Sequence, residues 1–171
     1  MTKQMHSVPI RISGLSDGIH EFDREVVPGE IGLPDEFSRP IAAHVHLDKT
    51  HSQIILRISI VADATYPCDR CLDPVLIPVK EECLLFYARD IAAAKEMQDD
   101  DVRVIDPNEP VIDIGEDIKD IAILGIPMKR TCGEDQSGKP LCKSPIHGNA
   151  DDSTDESVDP RWEKLKNMHT V

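Results

Sequence analysis

Two β-rich runs of comparable length stand on either side of a cysteine pair, and they restrict the fold of this chain more than any other feature. The first is IILRISIVADATY, residues 54 to 66, and the second is PVLIPVKEECLLFYAR, residues 74 to 89. Ile54, Leu56, Ile58 and Ile60 fall on one face of the first run, Arg57 and Ser59 on the other, which is the two-residue period of a half-buried strand. In the second run Val75, Ile77, Val79, Cys83, Leu85 and Tyr87 share a face, with Glu81 the exception. Joined by PCDRCLDP, the two runs predict an antiparallel hairpin with Cys68 and Cys71 at its tip. Upstream, AAHVHLD predicts a further short strand, and the polar DKTHSQ leads from it into the hairpin. VPIRISGL predicts another, ended by Gly14 and the turn-like SDG.

Helical periodicity enters after the hairpin. RDIAAAKEMQDDD, residues 89 to 101, predicts a helix running into an acidic loop. VIDIGEDIKDIAILGIP, residues 111 to 127, predicts a second, because Ile114, Ile118 and Ile121 are spaced four and three apart. Asp113, Glu116 and Asp117 suit the positive end of its dipole, and Gly125 with Pro127 ends it. From Gly133 to Val158 the composition turns to Gly, Ser, Asn, Pro and Asp, and residues 143 to 158 have almost nothing to bury, which predicts a flexible acidic linker. In DPRWEKLKNM, Asp159 can cap a short helix and Pro160 suits its first turn. Trp162, Leu165 and Met168 give that helix one apolar edge.

These readings describe an α+β chain: a mainly antiparallel β-sheet or partly open barrel with two or three short helices. A β-rich domain occupies residues 1–142, the linker 143–158 and the terminal helix 159–171. The core is modest, since aromatic residues make up 4% of the sequence. Acidic residues outnumber basic ones 32 to 19, for a formal charge of -13, and such a surface repels polyanions in bulk. A basic protein partner, or a local basic face from Lys129, Arg130, Lys139, Lys143, Arg161, Lys164 and Lys166, remains compatible with that charge. The first residues have no continuous apolar stretch of signal-peptide length, and no run is long enough to span a bilayer. The expectation is a cytoplasmic protein with no membrane partner and no small-molecule substrate.

Enzyme signatures are missing: there is no glycine-rich phosphate loop, no HExxH and no GxSxG. His44 and His46 share a strand face with His51 nearby, and exposed strand histidines without a further ligand are the plainer reading than a metal site. The acidic clusters at 99 to 101 and 151 to 156 lack the alternating ligands and glycine of a calcium loop. The cysteines carry more information. A thiol-disulfide oxidoreductase using Cys68 and Cys71 needs a helix N-terminus after the pair, and here Leu72-Asp73-Pro74 leads into a strand-like run. A CxxC at a hairpin tip instead has the form of a zinc knuckle, which needs two more thiolates. Cys132 and Cys142, in KRTCGEDQSGKPLCKS, are the natural candidates. Cys83, mid-strand on the apolar face, reads as a buried thiol. Spacing leaves two readings open: one Zn2+ held by Cys68, Cys71, Cys132 and Cys142, or a reduced, metal-free acidic interaction module.

The order of segments resembles a known family. YPCDRCLDPV is followed by VKEECLLFYARD, then by IDIGEDIKDIAILGIPMKR with a cysteine after it, then by a terminal DPRWEKLKNM. This resembles the YceD family, described as large ribosomal RNA subunit accumulation proteins, over about residues 10 to 168. By position, Cys68 and Cys71 match the central CxxC, Cys132 matches the cysteine after the Pro-basic segment, and Asp159, Pro160, Arg161 and Trp162 match the terminal motif. Many members carry a compact late cysteine cluster with a further CxxC-Gly; here Cys142 is followed by Lys143-Ser144-Pro145. The resemblance implies a non-catalytic ribosome-assembly factor whose partner is large-subunit ribosomal RNA or a basic ribosomal or assembly protein.

Overall fold

The structure is a computed structural model, and it describes residues 7–89, 94, 102–106, 109–138 and 141–142. Its elements are β1 (Pro9–Arg11), β2 (Gly18–Val26), a 3-10 turn (Pro28–Ile31), β3 (Ile41–Lys49), β4 (Gln53–Pro67), β5 (Pro74–Ala88), β6 (Val102–Val104), β7 (Val111–Asp113) and helix α1 (Gly115–Leu124). Five strands form one open sheet in the order β2-β3-β4-β5-β6, and β1 pairs with β7 in a separate two-stranded ribbon. The sheet is antiparallel from β2 to β5, and β6 joins it in parallel.

The hairpin follows the sequence pattern closely. β4 and β5 pair without interruption from Gln53↔Ala88 to Pro67↔Pro74, leaving residues 68 to 73 as the tip. Ile54, Leu56, Ile58 and Ile60 are buried, as are Val45 and Leu47 of β3, and these apolar rows line one face of the sheet. α1, the 3-10 turn and the β1–β7 ribbon contribute the other wall of the core through Ile31, Ile10, Ile112, Ile114, Ile118 and Ala122. Burial of the isoleucine, leucine and valine side chains drives the assembly, each contributing about 1.5–3 kcal/mol relative to exposure.

Two details hold the helix in place. Asp113 ends β7 and its Oδ1 accepts from the amides of Gly115 at 3.0 Å and Val8 at 2.9 Å, so one carboxylate both starts the helix and fastens β1. Burial opposes the charged form of Asp113, yet these donors outweigh it and hold the carboxyl below its usual range. At the other end a Cβ on Gly125 would meet Val79 Cγ1 at 2.6 Å and Glu81 Cγ at 2.7 Å, so glycine is what lets the helix end sit on β5. On the flank, Asp117 takes a bidentate ion pair from Arg103 at 2.6 and 3.0 Å, and Arg103 also donates to Tyr87 Oη at 3.2 Å, joining β6, β5 and α1.

Some expectations need correction. Among the described residues there is one α-helix and one 3-10 turn, where two or three helices were expected. The helix expected over 89 to 101 lies almost wholly outside those residues, and the linker and terminal helix lie wholly outside them. The element expected as helix over 111 to 127 begins as strand, because Val111, Ile112 and Asp113 pair with β1. Of the sheet or partly open barrel expected, the structure has the open sheet. β2 was not foreseen at all. No helix among the described residues is long and apolar enough to cross a membrane.

Candidate metal centre

The turn from β4 to β5 is built around Cys68. Its amide donates to the Asp73 carbonyl at 2.8 Å, and Leu72 donates back to the Cys68 carbonyl at 2.9 Å. Closing so short a turn puts Leu72 at φ 63, a left-handed backbone that a leucine seldom adopts. The Arg70 amide points at Cys68 Sγ from 3.4 Å, so the turn presents a backbone donor to a sulfur.

The chain after α1 returns to this turn and is fastened to it. The Asp69 amide donates to the Arg130 carbonyl at 2.7 Å, and the Arg130 amide donates to Asp69 Oδ2 at 2.6 Å. The Arg130 guanidinium adds an ion pair to Asp69 at 3.3 Å and lies 4.9 Å from the centre of the Tyr66 ring. Arg70 pairs with Glu134 at 3.1 Å. Beyond Cys132 the loop turns at Gly133, φ 85, and closes where Leu141 donates to the Gly133 carbonyl at 3.1 Å.

The result brings Cys68, Cys71, Cys132 and Cys142 together, with all four sulfurs within 4.8 Å of one another. Cys68 and Cys142 are 3.8 Å apart, Cys71 and Cys132 3.5 Å, and every thiol is free of a disulfide. Four thiolates about 2.3 Å from one zinc ion stand about 3.8 Å from each other, so the spacing fits a tetrahedral site made of four cysteines. The surroundings fit as well. Burial opposes a thiolate at Cys68, but the backbone donors of Arg70, Cys71 and Cys132 and the neighbouring Cys71 thiol bring it down to about 6. At Cys71 the Asp73 amide favours the thiolate, while burial and the neighbouring sulfurs prevail and push the thiol up to about 12. Without a cation the cluster therefore resists full ionisation, which is how thiolates that share a divalent ion behave before it binds. Arg70 Nη1 is buried without a hydrogen-bond partner, and its guanidinium carries positive charge beside Cys142 and Cys68. Four thiolates and one divalent ion total two negative charges, which such a cation offsets.

The other candidates fall elsewhere. Cys83 packs partly buried against the core in mid-strand, and burial followed by the Asp117 carboxylate pushes its thiol up to about 11. His44 and His46 each meet a carboxylate of β2, Asp23 at 2.8 Å and Glu21 at 3.6 Å. The Asp23 hydrogen bond holds the His44 ring above its usual range. CxxC is followed by strand β5, so the segment after the pair supplies no helix N-terminus to either thiol. Of the expected basic face, Lys129 and Arg130 are described, and Arg130 is engaged by Asp69 and Tyr66. The Asp69–Arg130 and Arg70–Glu134 fasteners were not foreseen. Their signal was opposite charge placed beside both cysteine pairs, in CDRC and in KRTCGE.

An uncharacterized protein of Mycobacterium bovis and one of Mycobacterium tuberculosis are each 30% identical over 132 residues. The match covers 72% of this chain and 59% of each relative, so the chain spans less than two thirds of the length of the curated relatives it matches. No solved structure matches. The family model described as large ribosomal RNA subunit accumulation protein YceD matches residues 56–169, a span from β4 through all four clustered cysteines. The chain belongs to the YceD family.

Proposed function

We propose that this chain is a non-catalytic assembly factor that supports accumulation of large-subunit ribosomal RNA by binding, and that its four clustered cysteines hold one structural zinc ion. The family match over residues 56–169 carries the first part. The formal charge of -13 favours contact through a basic ribosomal or assembly protein over contact with bare RNA, and a cytoplasmic site of action goes with that role. The sulfur spacing carries the second part. When bound, zinc supplies cross-linking of the turn to the returning chain. The protein's own part is to hold the four sulfurs at tetrahedral spacing, to direct the Arg70 amide at Cys68, and to keep Arg70 charged beside the cluster. Quantitative co-purification tests the assembly role: the protein travels with large-subunit precursor particles, and a protein that never does so removes the proposal. Metal analysis tests the ion, expected near one zinc per chain, lost in Cys68→Ser and kept in Cys83→Ser.

A further inference from the structure

The sheet ends on one side at β2, and the register shows which backbone groups face outward there. The Thr50 amide donates to the Gln53 carbonyl at the turn between β3 and β4. Hydrogen-bonded and non-bonded pairs alternate along an antiparallel ladder, so even-numbered residues of β3 bond to β4 and odd-numbered ones to β2. With Lys49 opposite Gly18 and Val45 opposite Phe22, the even residues of β2 bond to β3. The N–H and C=O groups of Ile19, Glu21, Asp23 and Glu25 are therefore directed away from the sheet. Arg24 Nη1 bonding to the Asp23 carbonyl at 3.0 Å agrees with this. Among the described residues no strand pairs with that edge.

The edge is long for an unpaired one, although the outward Asp23 carbonyl is taken by Arg24. Its nine residues pair with β3 without a bulge, and they include no proline and no lysine, the usual devices that discourage a further strand. The outward-bonding residues also place Glu21, Asp23 and Glu25 in a row on the exposed face of the sheet. A second copy is the wrong occupant. Antiparallel self-pairing about Asp23 sets Glu21 against Glu25 and Asp23 against itself, and in-register parallel pairing sets each acid beside its twin. On the opposite face Phe22 is half-buried at the margin of the core, with the Arg24 guanidinium 5.7 Å from its ring centre. An apolar residue of an added strand would continue the core beside it.

We infer that β2 takes up an extended basic segment of a partner protein as a sixth strand, with lysine or arginine beside Glu21, Asp23 and Glu25 and an interleaved apolar residue beside Phe22. The inference rests on the binding role proposed above and names the chemistry of the partner. The probe is a peptide of alternating lysine and valine, about ten residues long to match a strand, with a glutamate-for-lysine peptide as control. In the full chain the lysine peptide shifts the amide resonances of Ile19, Glu21, Asp23 and Glu25, and the control does not. Asp23→Pro removes an outward N–H that makes no bond to β3, and it weakens the peptide at least about tenfold. Glu21→Lys with Glu25→Lys does the same by charge while keeping every backbone donor. Shifts that map elsewhere, or unchanged affinity in a folded variant of either kind, overturn the inference. Co-purification separates it from the assembly role. Wild-type protein absent from large-subunit particles defeats that role whatever the peptide does. Particle association equal in wild type and both variants defeats the edge inference alone, and if ribonuclease then abolishes it, the contact belongs to RNA.

Discussion

The two ends of the long hairpin are held by different physics. Toward its base, β4 buries isoleucine and leucine, and β5 buries Val79 and Tyr87, in the core shared with α1 and the β1–β7 ribbon. At its tip the same strands end in a turn fastened by ion pairs, backbone bonds and four sulfurs. The first kind of contact is non-directional and summed over many side chains, so it resists small changes in position. The second depends on a few atoms at set distances and, with zinc, on one ion. The lesson is that one continuous element can belong to two stability units, with local opening at the tip largely separate from global unfolding.

The largest way to break this comparison is in the base. Leu56, fully buried in β4, changed to Ala should cost about 2–5 kcal/mol. The loss should appear as a lower urea midpoint with the tip unfolding in the same transition. A tip that stays protected after the sheet has melted would show it folds on its own. Next, Gly125→Ala forces a methyl against Val79 and Glu81 and should cost about 1–3 kcal/mol, read by the same midpoint. Asp113→Ala, which removes the carboxylate shared by α1 and β1, should cost about 0.5–2 kcal/mol at neutral pH. Its pH dependence has a definite sign. The folded carboxyl is held below the unfolded value of about 3.9, so its contribution is full above that value and disappears as pH falls through the folded pKa. Wild type and D113A should therefore converge in stability in acid, and a constant gap would show that the carboxylate charge is not what matters.

The smallest effect on the sheet should come from metal removal. Chelation of zinc-loaded protein should abolish amide protection at residues 68 to 73 and at 130 to 133, while Leu56 and Ile58 keep theirs in hydrogen exchange. Equal loss at both places would mean that the two units are one.

What could be read from the sequence follows the same division. The base was legible because burial writes itself as a two-residue period: Ile54 to Ile60 carried it plainly, and Ile77 to Tyr87 carried it with Glu81 as the exception. β2 was not, because an edge strand packs little. Gly18–Val26 buries Val26 alone, Phe22 is only partly covered, and Ile19 faces solvent. β7 was absorbed into the helix because Ile114, right after it, shares the helical spacing of Ile118 and Ile121, and the strand is three residues long. At the tip, the cysteine count and the strand after CxxC pointed to the four sulfurs. The pairing of Asp69 with Arg130 did not show, since it joins residues 61 apart and no periodicity reports on such a distance.

That separation also sets an order of events. The contacts of β2, β3, β4 and β5 join strands that are consecutive in sequence, with short connections at 50–52 and 68–73 and a longer one, carrying the 3-10 turn, at 27–40. The sulfur contacts join residues 61 and 74 apart and require β5, β7 and α1 to be in position first. Closure over long separations is entropically late. The clasp is therefore expected as the final step of folding, and capture of the proposed ion would be a timestamp: a chain that had bound its metal would be a chain that had finished.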